Sequence, residues 1–341
     1  YGSRGVLMVR LLNLFYPGEE CFQATFPPAL MDELTEMVDY RRVPRPKSAD
    51  TAGAEYLQEL YAAEILLTGW GTPLLPTDLA QRGKLKYICH VTGAVRGMIP
   101  RELFEQGMLV SNWGTSISRT VAEASLMMIL GCLRRVRPVQ KELHNRGGYR
   151  AVPAPNSLFE RRVGLVGFGA IARELVPLLR PFEVEISAYD PYVSEEYFSA
   201  LGVERVESVR ALFEGSDIIS LHAARTEETA GLVNRELLRL LPDDGVIVNT
   251  ARGALIDEAD LADELRSGRL WAGLDVYQKE PLAVDSPLRG LDRVLLFPHQ
   301  AGPTPDRWID MGRMAVANIK RYFAGEPVQA RVTLERYDRM T

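Results

Sequence analysis

Asp190, His222, Arg252, Asp275 and His299 each fall at or just past the end of a short apolar run, in EISAYD, IISLH, VIVNTAR, WAGLD and LLFPH. Runs of that length and composition read as buried strands. In an open parallel sheet, polar residues beyond the strand carboxyl ends converge on one ligand crevice. Glu280, in the dipeptide EP, adds a carboxylate shortly after Asp275. The types are complementary. An imidazole titrates near neutrality and gives or takes a proton at a substrate oxygen. A carboxylate beside it fixes its tautomer and favours its protonated form. A planar, always-charged guanidinium grips a carboxylate through two hydrogen bonds and stabilises charge developing on the adjacent carbonyl. His299, Glu280 and Arg252 in those roles suit hydride exchange at the carbon next to a carboxylate, with the proton moving at its oxygen. His222 ends its strand and is read as serving nearby backbone groups.

A second pattern supplies the place for a hydride carrier. In VGLVGFGAIARELVPLL, Gly167 and Gly169 follow a strand directly and open a helix at Ala170 and Ile171. Glycines there allow a tight turn and close approach to a pyrophosphate, whose charge the helix start favours. Ala172 stands where a third glycine is common, a tolerated variant. The turn alone is a weak signal. Asp190, about 20 residues on, strengthens it, because a carboxylate at that strand end accepts hydrogen bonds from ribose hydroxyls and repels a 2'-phosphate. NAD is therefore expected over NADP, although Arg225 in the following loop leaves dual use open.

These residues need two sets of alternating strands and helices to hold them. In the first part, strands are read at Gly5 to Leu12, Glu64 to Gly69, Leu85 to Val91 and Leu109 to Ser111. In the second they are read at Arg162 to Val166, Glu185 to Tyr189, Asp217 to Leu221, Gly245 to Asn249, Trp271 to Val276 and Val294 to Phe297. Strands alternating with helices imply parallel sheets and an α/β class. A helix over Thr120 to Val136, apolar on nearly every side, precedes the second series, and Gly147 to Ser157 reads as a linker. The last element is an amphipathic helix over Ile309 to Phe323.

VNTARGALID, GLDVYQKEP and FPHQAGPT, in this order, resemble the motifs of the D-isomer-specific 2-hydroxyacid dehydrogenases. The resemblance runs from about Val91 to Thr304. It implies two Rossmann-like domains with doubly wound parallel sheets, a cofactor domain over 119–302 being inserted into a discontinuous substrate domain over 1–118 and 303–341. It implies that Arg252 binds the substrate carboxylate, that Glu280 pairs with His299, and that Asp275 lies on the nicotinamide side of NAD. Ala224, Thr250 and Gly302 join the expected cofactor contacts, with Ala224 and Arg225 standing where the family usually has Pro and Leu. Thr92, Gly93 and Ala94, in HVTGAVRG, fall where family members use backbone amides for the substrate carboxylate. The loop at Trp70 and Gly71 lacks the cations that phosphoglycerate-type members carry there, so the expected substrate is an unphosphorylated 2-oxo acid resembling glyoxylate, hydroxypyruvate or pyruvate. Two alternatives stay open: an NAD(H)-sensing, corepressor-like binding protein, and a phosphite- or formate-type dehydrogenase.

Composition narrows the remaining classes. A chain of 341 residues exceeds the size at which one core keeps growing. A net charge of -5, with basic clusters as short as Arg134, Arg135 and Arg137, gives no nucleic-acid footprint. The apolar stretch Val121 to Leu133 falls short of the roughly 20 residues that span a bilayer. Gly5 to Phe15 is interrupted by Arg10 and reads as a strand rather than a secretion signal. Cys21, Cys89 and Cys132 show no metal-ligand spacing, which suits a reducing cytoplasm and no metal. The apolar helix after Thr120, together with the resemblance, leads to a homodimer as the expected assembly.

Overall fold

A computed structural model describes residues 8–46, 53–145 and 152–339. Gly5 to Leu7 of the expected first strand and 147–151 of the expected linker lie outside the described residues. The chain forms two compact units, Tyr1–Ile117 with Thr304–Thr341, and Ser118–Pro303.

The first unit is built on a parallel sheet of β1 (Arg10–Asn13), β2 (Asp39–Arg42), β3 (Ile65–Thr68), β4 (Tyr87–His90) and β5 (Leu109–Ser111), in the order β2-β1-β3-β4-β5. All four residues of β3 and of β4 are buried, as central strands covered on both faces must be. β2 was not expected from sequence. Its DYRR is polar and partly exposed because it lies on the edge, where apolar periodicity is not required. The helix Trp308–Phe323 packs on β4 and on the helix Glu19–Thr25. A Cβ on Gly312 would stand 1.9 Å from the Thr25 carbonyl oxygen, so only glycine permits that approach.

The second unit has a seven-stranded parallel sheet of β6 (Arg162–Val166), β7 (Glu185–Tyr189), β8 (Glu204–Arg205), β9 (Ile218–Leu221), β10 (Val246–Asn249), β11 (Trp271–Leu274) and β12 (Val294–Leu296). The order is β12-β11-β10-β9-β6-β7-β8, so the winding reverses at β6, between β7 and β9. The crevice at such a reversal is where this class of sheet takes its ligand. Two apolar layers cover the sheet. One holds Ile129, Leu165, Phe168 and Leu175, the other Phe213, Ile219, Leu238 and Leu261.

The helix expected over Thr120 to Val136 is two helices, Ser118–Leu133 and Val136–Asn145. The chain breaks at Arg135, which takes a φ of 57°. Its buried guanidinium lies 4.0 Å over the Trp271 ring, donates to the carbonyls of Cys132 and Ala154, and pairs with Asp244 at 3.2 Å. Sequence shows only two arginines at a helix end; the ring beneath them comes from a strand far along the chain.

Candidate functional site

The loop after β6 is shaped by close packing. Gly167 has a φ of +87°, and a Cβ there would lie 2.7 Å from the Ala223 nitrogen just past β9. Gly167 N–H donates to the Tyr189 carbonyl, and Phe168 N–H donates to Asp190 Oδ2 at 2.8 Å. Asp190 Oδ1 accepts from Tyr192 N–H at 2.9 Å, which fixes the carboxylate at the end of β7. The helix Ala170–Leu179 then starts at Gly169 with no side-chain cap, and a Cβ on Gly169 would meet nothing within 4 Å. The first-turn N–H groups, Ala170 and Ile171 included, have no intrahelical acceptor, and the side of Gly169 where a Cβ would point is open. That is a fit for the pyrophosphate of a dinucleotide, with Asp190 available to its ribose.

Other expected cofactor contacts take varied places. Ala224 is exposed, and its carbonyl accepts from the Thr229 hydroxyl at 2.7 Å. Thr250 is buried with its hydroxyl 2.9 Å from that of Ser125. Gly302 packs on the start of the helix Ser118–Leu133, where a Cβ would lie 2.7 Å from Thr120 Oγ1. His222 has its Nε2 2.9 Å from the Ser220 hydroxyl.

Arg252, Glu280 and His299 come together past β10, β11 and β12. Buried Asn249 makes the Arg252 turn, its side-chain amide donating to the Arg252 carbonyl at 2.9 Å and its oxygen accepting from Ala251 N–H at 3.0 Å. Burial pushes the Arg252 guanidinium pKa down, and the Glu280 carboxylate pushes it back up. Glu280 Oε1 accepts from Tyr277 N–H at 3.1 Å, while Oε2 lies 2.7 Å from His299 Nδ1. A carboxylate only accepts, so Nδ1 carries a hydrogen and Nε2 is left to exchange a proton with a ligand. The imidazole is half exposed at 51%, as that exchange requires.

Sequence reading did not foresee how His299 is held. The residue has a φ of 55°, a region disfavoured for residues with a Cβ, although histidine is among the types enriched there. Its N–H donates to the Asp275 carbonyl at 2.9 Å. The buried Asp275 carboxylate accepts from Gln300 N–H at 2.7 Å and Ala301 N–H at 2.8 Å. One aspartate therefore shapes the whole turn.

In the first unit, the loop after β4 carries Thr92, Gly93 and Ala94. Their three carbonyls are all held, that of Thr92 by Trp113 N–H at 3.3 Å, that of Gly93 by Asn112 Nδ2 at 2.9 Å and that of Ala94 by His90 Nε2 at 3.1 Å. A trans peptide unit points its N–H opposite its C=O. The N–H groups of Gly93, Ala94 and Val95, each opposite the carbonyl of its own peptide unit, donate to no acceptor among the described residues. Successive N–H groups without acceptors are what an anion-binding concavity is made from. Trp113 packs on Gly93, where a Cβ would fall 2.4 Å from the indole, and Trp70 meets Trp113 edge-on with centroids 6.1 Å apart.

Residues 126–301, inside the second unit, match the family model described as "D-isomer specific 2-hydroxyacid dehydrogenase, NAD binding domain". The chain is 33% identical over 319 residues to the glyoxylate/hydroxypyruvate reductase of Arabidopsis thaliana, covering 91% of this chain and 96% of that one. The chain belongs to the D-isomer specific 2-hydroxyacid dehydrogenase family. Within it, the D-3-phosphoglycerate dehydrogenase of Methanocaldococcus jannaschii is 31% identical over 273 residues, 80% of this chain and 52% of that one. The chain spans about half the length of the curated phosphoglycerate dehydrogenases it matches. The apo structure of Rhodotorula graminis D-mandelate dehydrogenase shares the fold of this family member, with a TM-score of 0.80 at 23% identity over 95% of this chain and 97% of that one. The second unit is thus a family NAD-binding domain, and its glycine turn, uncapped helix start and Asp190 fit that cofactor. Among the described residues, no three His, Cys, Asp or Glu side chains group as metal ligands, and no helix is long and apolar enough to cross a membrane.

Proposed function

We propose that this chain is an NAD(H)-dependent oxidoreductase that interconverts a small, unphosphorylated 2-oxo acid and the D-2-hydroxy acid. The observation that carries the reading is the 2.7 Å pair of His299 Nδ1 and Glu280 Oε2, with Arg252 within electrostatic reach of the same carboxylate. NADH, when bound, supplies the hydride. Arg252 grips the substrate carboxylate and stabilises negative charge growing on the C2 oxygen. His299 Nε2 delivers the proton to that oxygen, and Glu280 holds the ring in place through Nδ1. In the oxidative direction the same nitrogen takes the proton back. In the first unit, the amides around Thr92, Gly93 and Ala94 offer donors for a carboxylate of that kind.

The fixed Asp190 carboxylate favours NAD over NADP, since a 2'-phosphate at that strand end would meet a negative charge. The absence of Lys and Arg from Gly69 to Pro76 supports an unphosphorylated substrate. Arg96, the cation nearest in sequence to the amide loop, is committed to the carbonyls of Tyr337 and Asp338. The reading includes a cytoplasmic homodimer, supported by the free cysteines and by apolar surface on exposed Met127, Val136 and Leu143.

The test is NADH and NADPH consumption with glyoxylate, hydroxypyruvate, pyruvate, bulkier 2-oxo acids and 3-phosphohydroxypyruvate. NADH-linked turnover of an unphosphorylated acid is expected. Preference for the phosphorylated acid would overturn the substrate assignment, and turnover of none would overturn the activity.

A further inference from the structure

His90 takes no part in the chemistry above, yet it is a titratable side chain only 1% exposed, at the end of a central strand. Its Nδ1 lies 2.9 Å from the Thr68 hydroxyl on β3, and its Nε2 lies 2.7 Å from the Thr92 hydroxyl and 3.1 Å from the Ala94 carbonyl. A carbonyl only accepts, so Nε2 carries the hydrogen, shared between the Ala94 carbonyl and the Thr92 hydroxyl oxygen, and Nδ1 accepts a hydrogen bond from the Thr68 hydroxyl. Burial pushes His90 down to about 4, which keeps that Nδ1 lone pair available at neutral pH. One neutral imidazole thus ties β3 to both ends of the Thr92–Ala94 loop.

We infer that His90 is a positioning residue for substrate binding, fixing the Thr92–Ala94 loop so that its N–H groups, which have no acceptor among the described residues, form a ready cradle for the carboxylate of a 2-oxo acid. The inference rests on the proposed reading of that loop. Holding the Ala94 carbonyl fixes the direction of the Val95 N–H on the other side of the same peptide unit, and holding the Thr92 side chain fixes the opposite end. Trp113 N–H and Asn112 Nδ2 hold the two carbonyls in the middle. An apolar ring at position 90 removes the donor from the Ala94 carbonyl and lets the last peptide unit rotate. The cradle then loses a donor and must be ordered by the ligand itself, which weakens binding.

The experiment compares His90→Gln, His90→Asn and His90→Phe in the full-length protein. A glutamine amide reaches the place of Nε2 and can donate to the Ala94 carbonyl. An asparagine amide reaches only the place of Nδ1. Oxamate, an unreactive 2-oxo acid analogue, is titrated calorimetrically into NADH-saturated protein, and KM and kcat are measured with the best 2-oxo acid. His90→Asn and His90→Phe are expected to weaken oxamate and raise KM by about tenfold or more, the scale of one to two lost hydrogen bonds. Their kcat and NADH affinity stay within about threefold of wild type, and His90→Gln restores oxamate affinity to within the same margin. Wild-type oxamate affinity in His90→Asn overturns the inference, as does a loss in His90→Gln equal to that in His90→Asn. Should His90→Phe fail to fold, the Asn and Gln pair still decides. Oxamate binding that depends on His90 in a protein with no turnover would sustain the cradle while removing the dehydrogenase reading; a wild type that neither binds oxamate nor turns over removes both.

Discussion

The position where Gly253 lacks a Cβ lies 1.8 Å from the carbonyl carbon of Tyr277. The turn that carries Arg252 therefore rests directly on the backbone of the loop that carries Glu280. Gly253→Ala forces the two loops apart and, as an overpacked core site, is expected to reduce stability by about 1–3 kcal/mol. In activity assays kcat/KM is expected to fall at least about tenfold, since Glu280 holds the imidazole that acts on the substrate gripped by Arg252 in the proposed reading. Wild-type kcat/KM in a folded Gly253→Ala protein would show that this spacing does not matter.

His299→Ala and Arg252→Ala are expected to separate chemistry from cofactor binding. Each should lower kcat/KM by about a hundredfold or more, the usual scale for a lost general acid or charge-stabilising donor. NADH affinity, followed by fluorescence titration, stays near wild type in both, because the glycine turn and Asp190 are untouched. Equal losses in cofactor affinity and turnover for Arg252→Ala would reassign that residue to the NAD site.

Asp275→Asn replaces one of two acceptors with a donor facing a backbone N–H. The buried mismatch is expected to lower stability by about 2 kcal/mol. It also loosens the turn that fixes His299, so kcat falls. Urea denaturation beside steady-state kinetics checks both; a change in kcat without a change in stability would mean that the carboxylate acts on a ligand instead of on the turn.

His90 gives stability a defined pH dependence. Its pKa in the folded protein is about 4, below the unfolded value of about 6.5, so the unfolded chain takes the proton first as pH falls. Stability from this group is complete above about pH 6.5 and is lost on the way down to about pH 4, with about 2 kcal/mol gone by pH 5. His90→Gln does not titrate and should show a shallower decline in denaturation midpoint between those limits. His222, also pushed down to about 4 by burial, keeps its own slope in the variant, so the measured quantity is the difference between the two curves. Parallel curves would mean that folding leaves the His90 pKa unchanged.

Much of the architecture was legible because central parallel strands are continuous apolar runs. β6 and β7 span the residues read from sequence, and β9 to β12 differ from it by a residue or two at their ends. β2 and β8 were not legible, since DYRR and ER sit on sheet edges, where neither burial nor alternation marks them. At the candidate site, the strand ends led to the polar residues but not to what holds them. Gly253 reads as an ordinary glycine after an arginine, and nothing local indicates that Tyr277 lies against it. The direction of the Asp275 carboxylate was hidden in the same way, because its partners are backbone groups of Gln300 and Ala301.

The Ser118–Pro303 unit is one unbroken stretch, while its companion is assembled from two separated pieces of chain. Arg252, Glu280, His299 and the nucleotide turn all lie in the unbroken stretch, and the amide loop lies in the split one. Exchange of a single internal gene segment would therefore move the His299–Glu280 pair, Arg252 and the nucleotide turn together, and leave the amide loop with the host.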